Sequence, residues 1–275
     1  MKKTFYILLA AVFIVAVLNG QTQVRVPRIS QGAKVSQIIG LSEVSISYHR
    51  PGVKGREIWG NVLKYDEVWR AGANEPTLFT FSDDVTIEGK KLGAGTYRFV
   101  VIPSKTGNWS LIFNSETKNW GTVYEPNYDT LKIMVKPEEA PLEEWMSFSF
   151  TDLSPTSARV VLAWEKIRLS FKVGFNVLAK IQASVGTWQV LNGAARFALD
   201  NKMFLEEGLG WAERSIMTEK NERNLQTKAE LLAQLGKVND AIPIAEEAVR
   251  IAKAKDPKAN TSGLEKMITD WKSKK

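Results

Sequence analysis

Cysteine is absent from the 275-residue chain, and histidine occurs once, as His49. The first absence excludes thiol nucleophiles, structural disulfides, thiolate metal sites and a lipid-bearing cysteine behind a leader. The second excludes a two-histidine metal site built within one chain. No Gly-x-Ser-x-Gly elbow, no P-loop and no dinucleotide-type Gly-x-Gly-x-x-Gly occurs. Gly93-Ala94-Gly95 joins two strand-like stretches and reads as a hairpin turn, not a phosphate loop. A basic stripe is missing too. The only local basic run is Lys272-Ser273-Lys274-Lys275, so nucleic acid is not an expected partner. Nothing in these residues asks for a cofactor or a metal.

Long apolar runs are confined to the start. Lys2 and Lys3 precede the apolar stretch from Tyr6 to Leu18, and Asn19-Gly20 precedes Gln21. This is the pattern of a secretory signal over 1–20, cut near Gly20-Gln21. The run falls short of the roughly 20 residues that a membrane span needs. The mature chain is therefore expected in a periplasm or outside the cell, with no membrane span. Loss of Lys2 and Lys3 lowers the formal charge from +7 to +5. At 44% hydrophobic and 24% charged residues the composition is that of a folded protein long enough for two modest domains.

The hydrophobic period divides the chain in two. From Val24 to Val173 it is mostly two, as in Val44-Ser45-Ile46-Ser47-Tyr48, with frequent turn signals. Nine or ten short strands follow, which predicts an antiparallel β-sandwich or barrel-like domain over 24–173. Within it, Glu57 to Tyr65 suits a short helix or ordered loop, and Lys118 to Asp129 a long loop. Pro137 to Trp145 reads as an acidic connector, and Trp164-Glu165-Lys166 as a tight connection. After Gly174 the period becomes helical, with six segments beginning near Phe175, Trp188, Phe204, Asn224, Val238 and Thr261. Leu205–Ile216 aligns with Val238–Val249 at an offset of 33 residues, close to the roughly 34 of tetratricopeptide repeats. Small residues recur there at Gly208/Ala241, Ala212/Ala245 and Ser215/Ala248. The overall expectation is α+β by segregation, with a tetratricopeptide-like helical tail over 174–275. Such a tail either packs on itself or the strand domain, or offers a groove to an envelope protein.

The densest polar chemistry lies between Tyr48 and Glu75. It includes His49, Arg50-Pro51-Gly52-Val53-Lys54-Gly55-Arg56 and Val68-Trp69-Arg70-Ala71-Gly72-Ala73-Asn74-Glu75. These motifs resemble an exported bacterial family, the domain of unknown function family 2911. Ser36–Gly40, Val44–Tyr48, Gly95-Thr96-Tyr97 with Ile102-Pro103, Trp109–Asn114 and Leu162–Glu165 extend the resemblance over roughly Pro27 to Val173. The resemblance implies an exported mixed protein and carries no activity with it.

Two readings of the patch compete. In one, Arg50, Arg56 and Arg70, with Lys54, Trp69, Asn74 and Glu75, hold a small polar or anionic ligand. In the other, the arginines pair with Glu57, Asp66, Glu67 and Glu75 and clamp a long loop to the sandwich. Glu75 and His49 are the acid/base candidates. A carboxylate beside arginine is a poor base near neutral pH. Trp59, Trp69, Trp109 and Trp120 would either stack on a sugar or close the core. The function that fits is a non-catalytic ligand- or protein-binding module of the bacterial envelope. The alternatives are a metal-independent hydrolase or lyase on an anionic or carbohydrate substrate, using Glu75 and His49, and an envelope chaperone or scaffold acting through the helices.

Overall fold

The computed structural model describes residues 26–183 and 186–273. The expected leader and its cut near Gly20-Gln21 lie outside them. Ten strands come first: β1 (Gln31–Ile39), β2 (Ser42–Arg50), β3 (Thr77–Phe81), β4 (Val85–Ile87), β5 (Lys90–Leu92), β6 (Gly95–Ile102), β7 (Trp109–Asn114), β8 (Asp129–Val135), β9 (Glu138–Thr151) and β10 (Ser157–Phe175). They form a six-stranded sheet, β1-β2-β3-β6-β7-β8, and a four-stranded sheet, β5-β4-β10-β9. Every named pairing is antiparallel. The sheets do not close into a barrel. Their apolar faces meet in one core, where Phe79, Phe99, Phe113, Phe148 and Phe171 pack in tilted and edge-to-face contacts.

The alternation predicted along β2 is present: Val44, Ile46 and Tyr48 are buried and Glu43 is exposed. Strands β6 and β7 depart from it, because both faces are covered. Phe99, Val101, Leu111 and Phe113 enter the shared core, while Arg98, Val100, Ile112 and Asn114 are buried outside it. That double burial explains the continuous apolar runs Phe99–Ile102 and Leu111–Phe113.

Two local expectations are corrected and a third is narrowed. Pro137 to Trp145 is not a connector. From Glu138 onward it is the first half of β9, paired with β10. An edge strand tolerates Pro141, since one side of its backbone needs no ladder partner. Trp164-Glu165-Lys166 is not a turn between strands. It is an irregularity inside β10, with register shifts on both sides of Glu165, whose φ is 56°. Glu57 to Tyr65 takes the ordered-loop form of its two expected alternatives, with turns held by Gly60 N–H to Leu63 O and Leu63 N–H to Ile58 O.

Six helices follow: α1 (Val177–Ala183), α2 (Trp188–Asn201), α3 (Leu205–Thr218), α4 (Glu222–Gln234), α5 (Val238–Lys255) and α6 (Ser262–Ser273). Successive helices from α2 to α6 pack on one another, and α2 also reaches α4. All six small residues at the 33-residue offset are buried. A Cβ on Gly208 would stand 2.6 Å from Ala198 Cβ, so α2 and α3 approach too closely for a larger side chain there. Trp211 is buried in this stack and Trp188 only half-buried. The helices thus bury their apolar faces against each other.

Helix α1 links the two halves. Leu178 and Ile181 pack on the helical core, and Val177 is buried. From the same helix, Lys180 Nζ donates to Leu41 O at 2.8 Å and meets Asp83 Oδ2 at 2.7 Å. Hydrogen bonds from Lys180 and Ser82 hold the Asp83 carboxyl down at about 2. A depressed carboxyl contributes stability above its ordinary range and loses it as the pH falls toward the folded value. Asp83→Asn should therefore cost about 1 kcal/mol at pH 7, after allowance for screening of a partly exposed pair. The gap between the two proteins in urea melts should narrow steadily below about pH 4.

Candidate functional site

Between β2 and β3 the chain makes a long excursion, residues 51–76, that straps one end of the sandwich. It is tied to both sheets. On the small sheet, Val53 N–H donates to Glu144 O at 2.8 Å and Met146 N–H to Pro51 O at 3.1 Å. On the large sheet, Trp69 and Val101 exchange two backbone hydrogen bonds of 2.8 Å, and Asp66 N–H donates to Pro103 O at 2.7 Å. Trp59 and Trp69 hang from the strap into the core. Trp69 stacks on Trp164 at 5.5 Å, and Trp59 contacts Trp69, Trp109 and Trp164. The tryptophans of the strap therefore close the core. Trp120, on the 115–128 loop, is exposed and stands apart from this cluster.

The arginines do not pair with Glu57, Asp66, Glu67 or Glu75. Arg50 Nε donates to Met146 O at 2.7 Å and its Nη2 to Trp145 O at 3.2 Å, fastening the end of β2 to β9. Arg56 Nε donates to Val53 O at 3.0 Å and its Nη2 to Gly52 O at 2.6 Å, closing the turn that contains Lys54 and Gly55 at positive φ. Lys54 is held through its backbone N–H to Glu144 Oε1, with its ammonium 5.9 Å from the Trp145 ring centre. The partners of these two arginines are backbone carbonyls, on the edge strand β9 for Arg50 and in the strap's own turn for Arg56.

Glu75 is paired with Arg28, both of its oxygens lying 2.6 Å from Arg28 Nη1, and His49 Nε2 stands 3.2 Å from Oε2. Burial alone would raise the Glu75 carboxyl. A backbone hydrogen bond, Arg28 and His49 together outweigh it and set the group below the usual range. Asn74, at φ 59°, donates to Ser30 O at 3.0 Å. Trp69 Nε1 donates to Gly72 O at 3.1 Å. Glu75, His49 and Asn74 thus pin residues 28–30 and 49 to the strap.

Arg70 is different. It makes no hydrogen bond and no ion pair among the described residues, and its Nε is buried without an acceptor. Burial disfavours its charge and lowers its pKa. Above it lies the 115–128 loop. A Cβ on Gly121 would stand 2.7 Å from Arg70 Cδ and 2.3 Å from Asn74 O, so only glycine fits that crossing. The loop is organised by Arg98, which sequence reasoning passed over. Its buried guanidinium donates to the carbonyls of Val123, Asn119 (2.9 Å) and Trp120 (2.6 Å), and lies 3.4 Å from Glu116. Burial lowers the Arg98 pKa, Glu116 opposes that, and the positive charge of Arg70 adds to it. An arginine inside a strand whose apolar run shows both faces covered was the available signal.

Strap and loop enclose a cleft of about 720 Å³. Its walls include Ile29, Val62, Leu63, Val68, Trp69 and Trp164, with Ser30, Thr122 and Tyr124. The charged side chains on it are Lys54, Arg56 and Arg70, and no carboxylate lines it. Trp164 Nε1–H, on the same wall, also lacks an acceptor. Glu75 and His49 stand outside the lining. Among the described residues, no three His, Asp or Glu side chains gather as a metal site.

A sequence model of the family described as protein of unknown function (DUF2911) matches residues 30–173, which is β1 through most of β10. No curated protein and no solved structure matches the chain.

The two classes of arginine should separate in stability. Arg98→Met strands three carbonyls and should lower unfolding free energy by about 3 kcal/mol. Arg70→Met removes a desolvated charge that has no protein partner, and should leave it within about 0.5 kcal/mol or raise it. Urea denaturation of the two variants beside the parent protein checks this.

Proposed function

The chain belongs to the DUF2911 family, proteins of unknown function, and we propose that it is a non-catalytic binding protein that holds a small anion in the cleft between strap and loop. The observation that carries this reading is Arg70. A half-buried guanidinium with no protein partner sits on a wall that bears Lys54 and Arg56 and no carboxylate. A planar fork of donors of this kind matches a carboxylate, sulfate or phosphate group. The anion offsets the cost of a desolvated charge. Binding is favoured over acid/base catalysis because Glu75 is occupied by Arg28 and, with His49, lies off the cleft. The signal-like residues 1–20 support export, which places this binding in a periplasm or outside the cell. No described helix is long and apolar enough to cross a membrane.

Calorimetric titration of residues 21–275 with sulfate, phosphate and acetate tests the proposal, together with thermal melts, since a ligand of the folded state raises the melting temperature. At least one of these anions should bind saturably and raise the melting temperature, and Arg70→Met should weaken it by about tenfold or more. Equal responses from the parent and Arg70→Met would overturn the assignment.

A further inference from the structure

We propose that the anion carries an apolar body, so that the cleft selects an organic monoanion, a carboxylate or sulfonate with an alkyl or aryl portion, over inorganic anions and sugar phosphates. This rests on Arg70 being the anion anchor and adds the class of ligand.

The single head follows from how the donors are used. Of the three cations on the wall, Arg56 already spends Nε and Nη2 on Val53 and Gly52 carbonyls. Lys54 lies over the Trp145 ring. Of these, only Arg70 has no hydrogen bond, ion pair or ring contact among the described residues. A polyanion needs several converging free cations, whereas one fork serves one head group.

The apolar body follows from the remaining walls. Ile29, Val62 and Val68 are 75%, 42% and 41% exposed, and all three border the cleft beside Leu63. Large aliphatic side chains left in water around a charged anchor gain from being covered, and an oxyanion alone covers none of them. A cleft of about 720 Å³ lies in the range of sites that enclose drug-sized organic molecules. A sugar body fits less well. Trp69 and Trp164 are buried with their rings stacked on each other, so neither offers an open face to a pyranose.

The test is titration of residues 21–275 with acetate, octanoate, benzoate, sulfate and phosphate, read by calorimetry and by tryptophan fluorescence, since Trp69 and Trp164 form part of the wall. Octanoate or benzoate should bind about tenfold or more tighter than acetate, sulfate and phosphate, the effect of covering roughly two methylene groups. Arg70→Met should weaken the organic anions about tenfold, and a Val62→Thr/Val68→Thr variant should shrink the octanoate-over-acetate ratio several-fold. Sulfate bound as tightly as octanoate in the parent, and lost in Arg70→Met, would reject the apolar body and keep the anion anchor. Octanoate binding that survives Arg70→Met would be apolar adsorption and would reject the proposal. No response to any of the five anions would remove both this inference and the binding function beneath it.

Discussion

Carbonyl oxygens in irregular backbone must find donors, and in this protein arginine supplies them. The strap over residues 51–76 and the loop over residues 115–128 cover the end and outer face of a sandwich, where no ladder satisfies their backbone. Arg56 serves Val53 and Gly52 in the strap and Arg98 serves Asn119, Trp120 and Val123 in the loop, while Arg50, just before the strap, serves Met146 and Trp145 on the edge strand β9. Each guanidinium fixes a stretch of chain that apolar packing alone would leave undefined. The cleft is the space these two fixed segments leave between them, so its shape depends on those donors.

Against that use, Arg70 stands out by having none. It sits between Trp69, which is locked to Val101 and Trp164, and Ala71, whose φ of 49° lies in the left-handed region. That conformation costs a non-glycine residue about 1 kcal/mol. It is held by the Thr77 hydroxyl, which donates to Ala71 O at 2.8 Å, and by the close approach of Gly72 to His49 O. Gly121 closes over the Arg70 stem. The Arg70 backbone and stem are therefore confined, which would leave less ordering to oppose the proposed binding. The positive charges of Arg98 and Arg70 oppose each other, and the proposed anion would relieve that repulsion.

Much of the architecture was legible because it follows from periodicity. The period of two gave the strand domain, and the change of period after Gly174 gave six helices in nearly the observed places. The failures have local causes. Pro141 and four nearby glutamates made the start of β9 look like a loop, although an edge strand accepts both. Glu165 looked like a turn because a bulge uses the same residue types. At the candidate site, composition pointed to the correct stretch but not to the pairings. The expected partners of Arg50 and Arg56 were carboxylates, and the actual ones are carbonyls, which every residue carries and no sequence pattern marks. Arg28, the partner of Glu75, comes from a segment 47 residues earlier. Arg98 was hidden in a strand whose buried outer face is set by a loop distant in sequence.

Three arginines of this region are spent on backbone carbonyls and Arg70 is not, and the Nε–H resonances of the arginine side chains report that difference. In an NMR titration of the mature chain with octanoate or sulfate at constant ionic strength, the Arg70 Nε–H signal should move saturably. The Arg50 and Arg56 signals, from Nε–H groups already hydrogen-bonded, and the Arg98 signal, from a guanidinium held by three loop carbonyls, should stay in place. A stationary Arg70 signal, or all four moving together without saturation, would contradict the account.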